Sequence, residues 1–363
     1  MLTKTRVTER LGLLYPVVQG PFGGGISTAE LAAAVSEAGG LGSYGAHILS
    51  PAQITELVAD LKRRTARPFA VNLWVPQPDE PRSIAPEAFA RHVERLRPHL
   101  RRFGLADPPL PERFAQPFDE QARAALDARP PVLSFVMGQP PAWVLEAARE
   151  RGIATIGTAT TVDEAVALDR AGVDLVVASG SDAGGHRGAF LRPAELSLVG
   201  TLSLVPQIVD AVSCPVIAAG GIADGRGLAA ALALGAGAAQ VGTAFLACHE
   251  SGASAAHRAA LAGPEARVTV LTRAFSGRLA RGIVNEFVRV MAAHERDLPP
   301  YPIQNWLTQP LRKAAADAGE ADWLSLWAGQ SAALARPRPA AELVRELVAG
   351  AEVALARASG RGG

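Results

Sequence analysis

Eight short apolar runs, each closed by glycine or a polar residue, limit what this chain can fold into. They are YPVVQG (15–20), LGSYG (41–45), FAVNLWV (69–75), VLSFVMG (132–138), IATIGTA (153–159), LVVASG (175–180), PVIAAGG (215–221) and AAQVGTAFL (238–246). Most are continuous rather than alternating, the pattern of parallel strands covered on both faces. Helical patterns lie between them at 28–38, 51–62, 141–151, 161–171, 203–212 and 224–234. Ser27 or Thr28 supplies an N-cap, Pro51 sits at a helix start, and Gly39 and Gly40 stop a helix. Eight strands alternating with helices predict an α/β fold closed as a (β/α)8 TIM barrel. The alternative, an open doubly wound sheet, calls for GxGxxG after the first strand, and GPFGGG (20–25) lacks that spacing.

Two segments break the rhythm. Residues 76–130 are rich in Pro and Arg and too long for a plain connection. They predict one or two helices outside the barrel, since ARHVERLRPHL (90–100) is amphipathic. Residues 251–319 follow the eighth strand and read as a smaller, mainly helical domain over the barrel mouth, on the substrate side. The expected organisation is therefore a barrel over 1–250, carrying the 76–130 insertion, the small domain over 251–319, and C-terminal helices returning to the barrel within 320–363. ASGRGG (358–363) should fray. Residues 227–248 are long and apolar enough to span a bilayer, but a helix, a glycine stop and a strand within them argue for an α/β repeat.

The net charge of +1 gives no field for nucleic acid, and no metal-ligand spacing occurs among the histidines and cysteines. Cys214 and Cys248 sit in apolar stretches and read as buried free thiols. The N-terminal residues carry no signal-peptide run, so the expected compartment is cytoplasmic, with no membrane partner.

In such a barrel the site lies at the C-terminal ends of the strands. Asn72 sits inside the third strand, where its amide either forms an internal hydrogen bond or meets a ligand. Gly220, Gly221, Gly242 and Thr243 end the seventh and eighth strands, where adjacent loops commonly hold a phosphate. His47, His186 and His249 lie near strand ends, whereas His92, His99, His257 and His294 read as surface residues. His186 follows Gly184 and Gly185, and two readings stay open from pattern alone. It is either a solvated histidine in a flexible loop or an imidazole projecting into the mouth as base or donor. Arg273, Arg278 and Arg281 read as a cationic helix face or as an attractor for an anionic substrate. No nucleophile triad is recognisable, and no lysine falls at a strand end to serve as a Schiff base.

Taken in order, QGPFGGG (19–25), AGGLGSYGA (38–46), FAVNLWVP (69–76), GTATTVDEA (157–165), GSDAGGHRG (180–188), PVIAAGGIADGRG (215–227) and QVGTAF (240–245) resemble the nitronate monooxygenases. TRAFSGRLARG (272–282) and LWAGQ (326–330) extend the resemblance toward the class I branch, across nearly the whole chain. It implies FMN on a TIM barrel with a smaller second domain, and oxidation of small anionic nitronates such as propionate 3-nitronate by O2. It implies flavin contacts from Asn72, Ser179 and Gly184, a phosphate side formed by Gly221, Gln240, Val241, Gly242 and Thr243, and His186 as the active-site histidine. Where the family usually has Gln and Glu, this chain has Ser179 and Asp182. The shorter serine would reach a flavin through water. His47 and His249 match no family motif. Protonated His186 would hold the nitro oxygens, or as a base it would deprotonate a neutral nitroalkane. The rival expectations are an NADPH-dependent enoyl-thioester reductase of the same superfamily and a flavin-binding barrel without turnover. A homodimer stays open.

Overall fold

A computed structural model describes residues 4–360; the first three residues and the last three of the expected frayed tail lie outside it. Its strands are β1 (Val17–Gln19), β2 (Gly42–Gly45), β3 (Phe69–Trp74), β4 (Val132–Val136), β5 (Ala154–Ala159), β6 (Leu175–Ser179), β7 (Gly185–His186), β8 (Val216–Ala219), β9 (Ala238–Val241), β10 (Thr269–Thr272) and β11 (Ala280–Ile283). Eight of them form one parallel sheet in the order β1-β9-β8-β6-β5-β4-β3-β2. A parallel bridge between Val18 and Leu41 joins its two edges. Around it Gln19 N–H donates to the Leu41 carbonyl and Leu41 N–H to the Val17 carbonyl, both at 2.9 Å, so the barrel is closed.

The expected helices cover it, started by local hydrogen bonds. Thr28 caps Ala29–Glu37, Thr161 caps Val162–Ala171, Asp224 caps Gly225–Ala233, and Ser50 forms a capping box with Gln53 at Pro51–Arg64. The third barrel helix, Phe118–Ala128, comes from the second half of the 76–130 segment, and packs against Pro51–Arg64 and β3. The eighth, Ala340–Ala358, reaches its place against Gly225–Ala233 only after the chain has built the domain over the mouth. Inward-facing Val18, Ala70, Ile156, Val177 and Ile217 fill the barrel, and Val7, Leu11 and Leu13 from the N-terminal residues join that interior core. The 227–248 stretch divides into a helix, β9 and a short helix, and among the described residues no helix is long and apolar enough to cross a membrane.

The segments over the mouth share a core, which also takes in Leu246 and Ala247 at the short helix after β9. Phe275, Phe287, Ile303, Leu307 and Leu311 meet Phe89, Val93, Leu96 and Leu100 of the amphipathic helix Pro86–Arg102. The 272–282 run is not a helix face. Thr269–Thr272 and Ala280–Ile283 pair as an antiparallel hairpin, and Ala280 and Arg281 pair with His186 and Gly185 of β7. His257 is not a surface residue either: it is 3% exposed within this domain.

Strand β2 packs unusually close to its covering helix. A methyl group on Gly42 would stand 1.8 Å from the Ala32 carbonyl oxygen, a backbone atom that cannot swing aside. Gly42→Ala is expected to cost about 1–3 kcal/mol and lower the thermal midpoint by several degrees. Scanning calorimetry checks it; an unchanged midpoint would show that the helix moves freely.

Candidate active site

The C-terminal ends of the barrel strands and the segments over them line a cavity of about 300 Å³. Of the residues singled out from sequence, His186, Asn72, Ser179, Gly184, Gly221, Gln240, Gly242 and Thr243 line it. Val241 does not. Side chains alternate along a strand, so Gln240 faces inward while Val241 joins the core beneath the helices. His249 is exposed and away from the cavity.

Glycine shapes two of the walls. Gly220 and Gly221 hold φ values of 114° and 69°, which side-chain-bearing residues rarely adopt. At Gly242 a methyl group would meet nothing nearer than Phe22 Cε1 at 3.9 Å, so the backbone there is open to the cavity. Thr243 Oγ1 accepts from the Gly329 N–H at 2.9 Å and keeps its own proton for another acceptor. Gly184 answers a different need: a methyl group on it would lie 2.5 Å from the backbone at Ala328 and Gly329, where the LWAGQ segment crosses. Asn72, 2% exposed, donates to Ser134 Oγ at 3.0 Å, so the internal hydrogen bond and the place in the cavity wall coexist.

His186 is fixed rather than loose. β7 ties its backbone to β11, and its Nε2 lies 2.8 Å from Ser276 Oγ. Ser276 donates to the Arg278 carbonyl at 3.0 Å, so the imidazole contact is served by an Nε2–H and leaves Nδ1 with the lone pair. Trp74 and Trp327 frame the ring, with centroids 5.0 and 5.2 Å away. Burial, then Arg278, His47 and Arg312, hold the His186 pKa well below its usual value. A lowered pKa favours the neutral imidazole at neutral pH, the form the base reading calls for. Among the side chains that line the cavity, positive charge comes from Arg312.

The loop beneath is anchored by a buried arginine. Arg187, 1% exposed, donates at 2.7 Å to the carbonyls of both Ser179 and Gly180. Asp182 accepts from the Thr201 N–H at 2.7 Å and so caps the helix Thr201–Ala211. The three arginines of 272–282 each have a task. Arg273 pairs with Glu195, Arg278 pairs with Glu80 and lies 4.8 Å over the Tyr301 ring, and Arg281 Nε donates to the Ser181 carbonyl at 2.9 Å.

Several cavity residues went unread in the sequence. His47 stacks on Trp74 at 3.9 Å with 6° between the planes, and burial and Arg278 push its pKa down to about 3. Its Nδ1 is buried without a partner. Its place directly after the β2 strand end was the available signal. Tyr301, Asn305, Gln309 and Arg312 also line the cavity. Their spacing of three or four residues was a sign of one shared helical face. Among the described residues no group of three or more acidic, Cys or His side chains could hold a metal ion.

The nitronate monooxygenase family model matches residues 4–350. A probable nitronate monooxygenase of Staphylococcus saprophyticus is 43% identical over 350 residues, covering 96% of this chain and 98% of its own. One from Staphylococcus aureus is 43% identical over 349 residues, covering 96% and 97%. Among solved structures, nitroalkane oxidase from Streptomyces ansochromogenes superposes with a TM-score of 0.87 at 41% identity, covering 97% of this chain and 99% of its own. FabK from Thermotoga maritima gives 0.77 at 30% identity, covering 98% and 99%. This chain belongs to the nitronate monooxygenase family and is an oxidoreductase.

Proposed function

We propose that this enzyme oxidises alkyl nitronates, such as propionate 3-nitronate, with O2 to a carbonyl product and nitrite, using FMN. The observation that carries the reading is a buried imidazole, His186, clamped by β11 and Ser276 over a glycine-walled cavity that Arg312 also lines. The residues fit FMN. The open backbone at Gly242, the turn at Gly221 and the free Thr243 proton suit a phosphate, while Asn72, Ser179, Gly184 and Gln240 line the space for the ring and its chain. Val241 supports that wall from behind. FMN supplies the one-electron and O2 chemistry when bound.

The chain's own residues bind, orient and move a proton. A nitronate is already an anion, so it needs no base. The charge of Arg312 in the cavity wall favours it. A neutral nitroalkane must first lose its α-proton, and the lone pair of His186 is the group to take it. Trp74, Trp327 and Tyr301 exclude water around that transfer.

His186→Asn should therefore lose nitroalkane oxidation by roughly 100- to 10,000-fold, the usual worth of a positioned base. Nitronate oxidation should fall far less. Oxygen-electrode rates with nitroethane and ethyl nitronate check this, and equal losses would remove the base assignment. The pH dependence follows from the lowered pKa. His186 is the active neutral form above its pKa, so kcat/KM for nitroethane should show no acid limb near pH 6.5. The limb should appear well below it. A midpoint at the ordinary histidine value would contradict the enclosure described. Anaerobic mixing tests the rival reductase: NADPH would bleach a reductase flavin and should leave this one oxidised.

A further inference from the structure

Proton transfer to His186 leaves one task without an owner. When a nitroalkane gives its α-proton to Nδ1, the C–H electron pair moves onto the nitro group and charge gathers on its oxygens. A donor aimed at those oxygens would stabilise the charge as it forms. His186 cannot be that donor, because its Nε2–H is spent on Ser276 Oγ at 2.8 Å. The donor must stand close to His186, since the nitro nitrogen is bonded to the carbon that loses the proton.

A second imidazole stands there. His47 and His186 share the Trp74 indole, His47 face to face at 3.9 Å and His186 edge-on at 5.0 Å, and all three line the cavity. The backbone of His47 is fixed from behind: the buried Gln121 Nε2 donates to its carbonyl at 2.9 Å and to the Leu49 carbonyl at 2.7 Å. Its ring is not engaged in the same way. Among the described residues no hydrogen bond reaches either ring nitrogen, and Nδ1 is enclosed. Burial keeps the ring neutral, so it carries one N–H. At the enclosed Nδ1 that N–H would have no acceptor, which leaves Nε2–H as an unspent donor. The loop after β1 makes room for this ring. A methyl group on Gly23 would collide with His47 Cε1, and Gly23 is not among the glycines at positive φ. Space for the imidazole, rather than a backbone turn, is what a side chain there would violate.

We propose that His47 is a further catalytic residue, whose Nε2–H donates to a nitro oxygen of the bound substrate while His186 takes the α-proton. The two imidazoles divide the work: one offers a lone pair for the proton, the other an N–H for the charge that the transfer creates. A nitronate already carries that charge, so the same contact holds it with no base involved. A neutral imidazole donates without surrendering its proton, so the nitronate stays ionised. This rests on the reaction proposed above and adds a residue to it.

The test uses the flavin-loaded enzyme and nitrate, a planar oxyanion with no carbon to oxidise, whose binding is read from the change in flavin absorbance. His47→Phe keeps a flat ring against Trp74 and removes the donor. It should weaken nitrate binding, and lower kcat/KM for ethyl nitronate and nitroethane alike, by roughly 10- to 100-fold, the worth of a hydrogen bond to a charged group. That pattern differs from His186→Asn, which spares the nitronate. His47→Gln, which restores an N–H, should lose less than about tenfold in all three. If the Phe variant does not fold, the Gln variant decides, and a larger loss than that overturns the proposal. Unchanged nitrate binding in the Phe variant also overturns it. So does a loss of bound flavin, which would assign His47 to the cofactor. Nitrate binding that depends on His47, in an enzyme that oxidises neither compound, would leave the oxyanion contact standing and remove the reaction.

Discussion

Gly185 and His186 leave the end of a barrel strand and pair, antiparallel, with Arg281 and Ala280 of the overlying hairpin. Two residues of sheet are a small contact, but they splice the barrel to the segments over its mouth at the wall of the cavity. Arg187, the next residue, pins the same loop from below through two barrel carbonyls. The imidazole is thus held by main chain on one side and by a buried guanidinium on the other. Its neighbours Ser276, Trp74, Tyr301 and Trp327 come from the hairpin, the third strand and the segments over the mouth. Removing the splice would leave a glycine loop free to swing, because Gly184 and Gly185 offer little resistance of their own.

The electrostatics follow from that enclosure. Two histidines, His47 and His186, share a wall with Trp74, and both are driven neutral by burial and by Arg278. Neutral imidazoles beside guanidinium groups make a site that attracts an anion without itself protonating it. That combination suits a nitronate, which must stay ionised to be oxidised. Under the proposed reaction the same field would also stabilise the carbanion formed when a nitroalkane loses its proton.

The barrel was legible because most of the parallel strands are continuous apolar runs, each with its own glycine or polar stop. Helix starts were legible for a local reason: Thr28, Ser50, Thr161 and Asp224 cap within three residues of themselves. The hairpin at 269–283 was not, because its strands are four residues each, lack alternation, and gain their third partner from almost a hundred residues away. His257 was misread as a surface residue, and His47 was left without a role, for the same kind of reason. Their burial is set by Trp74, and by the Trp327 backbone, through contacts no local pattern encodes. Val241 shows the converse. A motif places it beside the cofactor, yet strand parity turns its side chain to the helices. Ser179 accepts from Arg187 through its carbonyl, a contact that does not depend on which side chain the residue carries.

Oxygen consumption and nitrite release with propionate 3-nitronate, in air and without any nicotinamide, test the central claim most directly. The account predicts oxygen uptake and nitrite from the flavin-loaded enzyme alone. No uptake, together with NADPH consumption on an enoyl thioester, would contradict it.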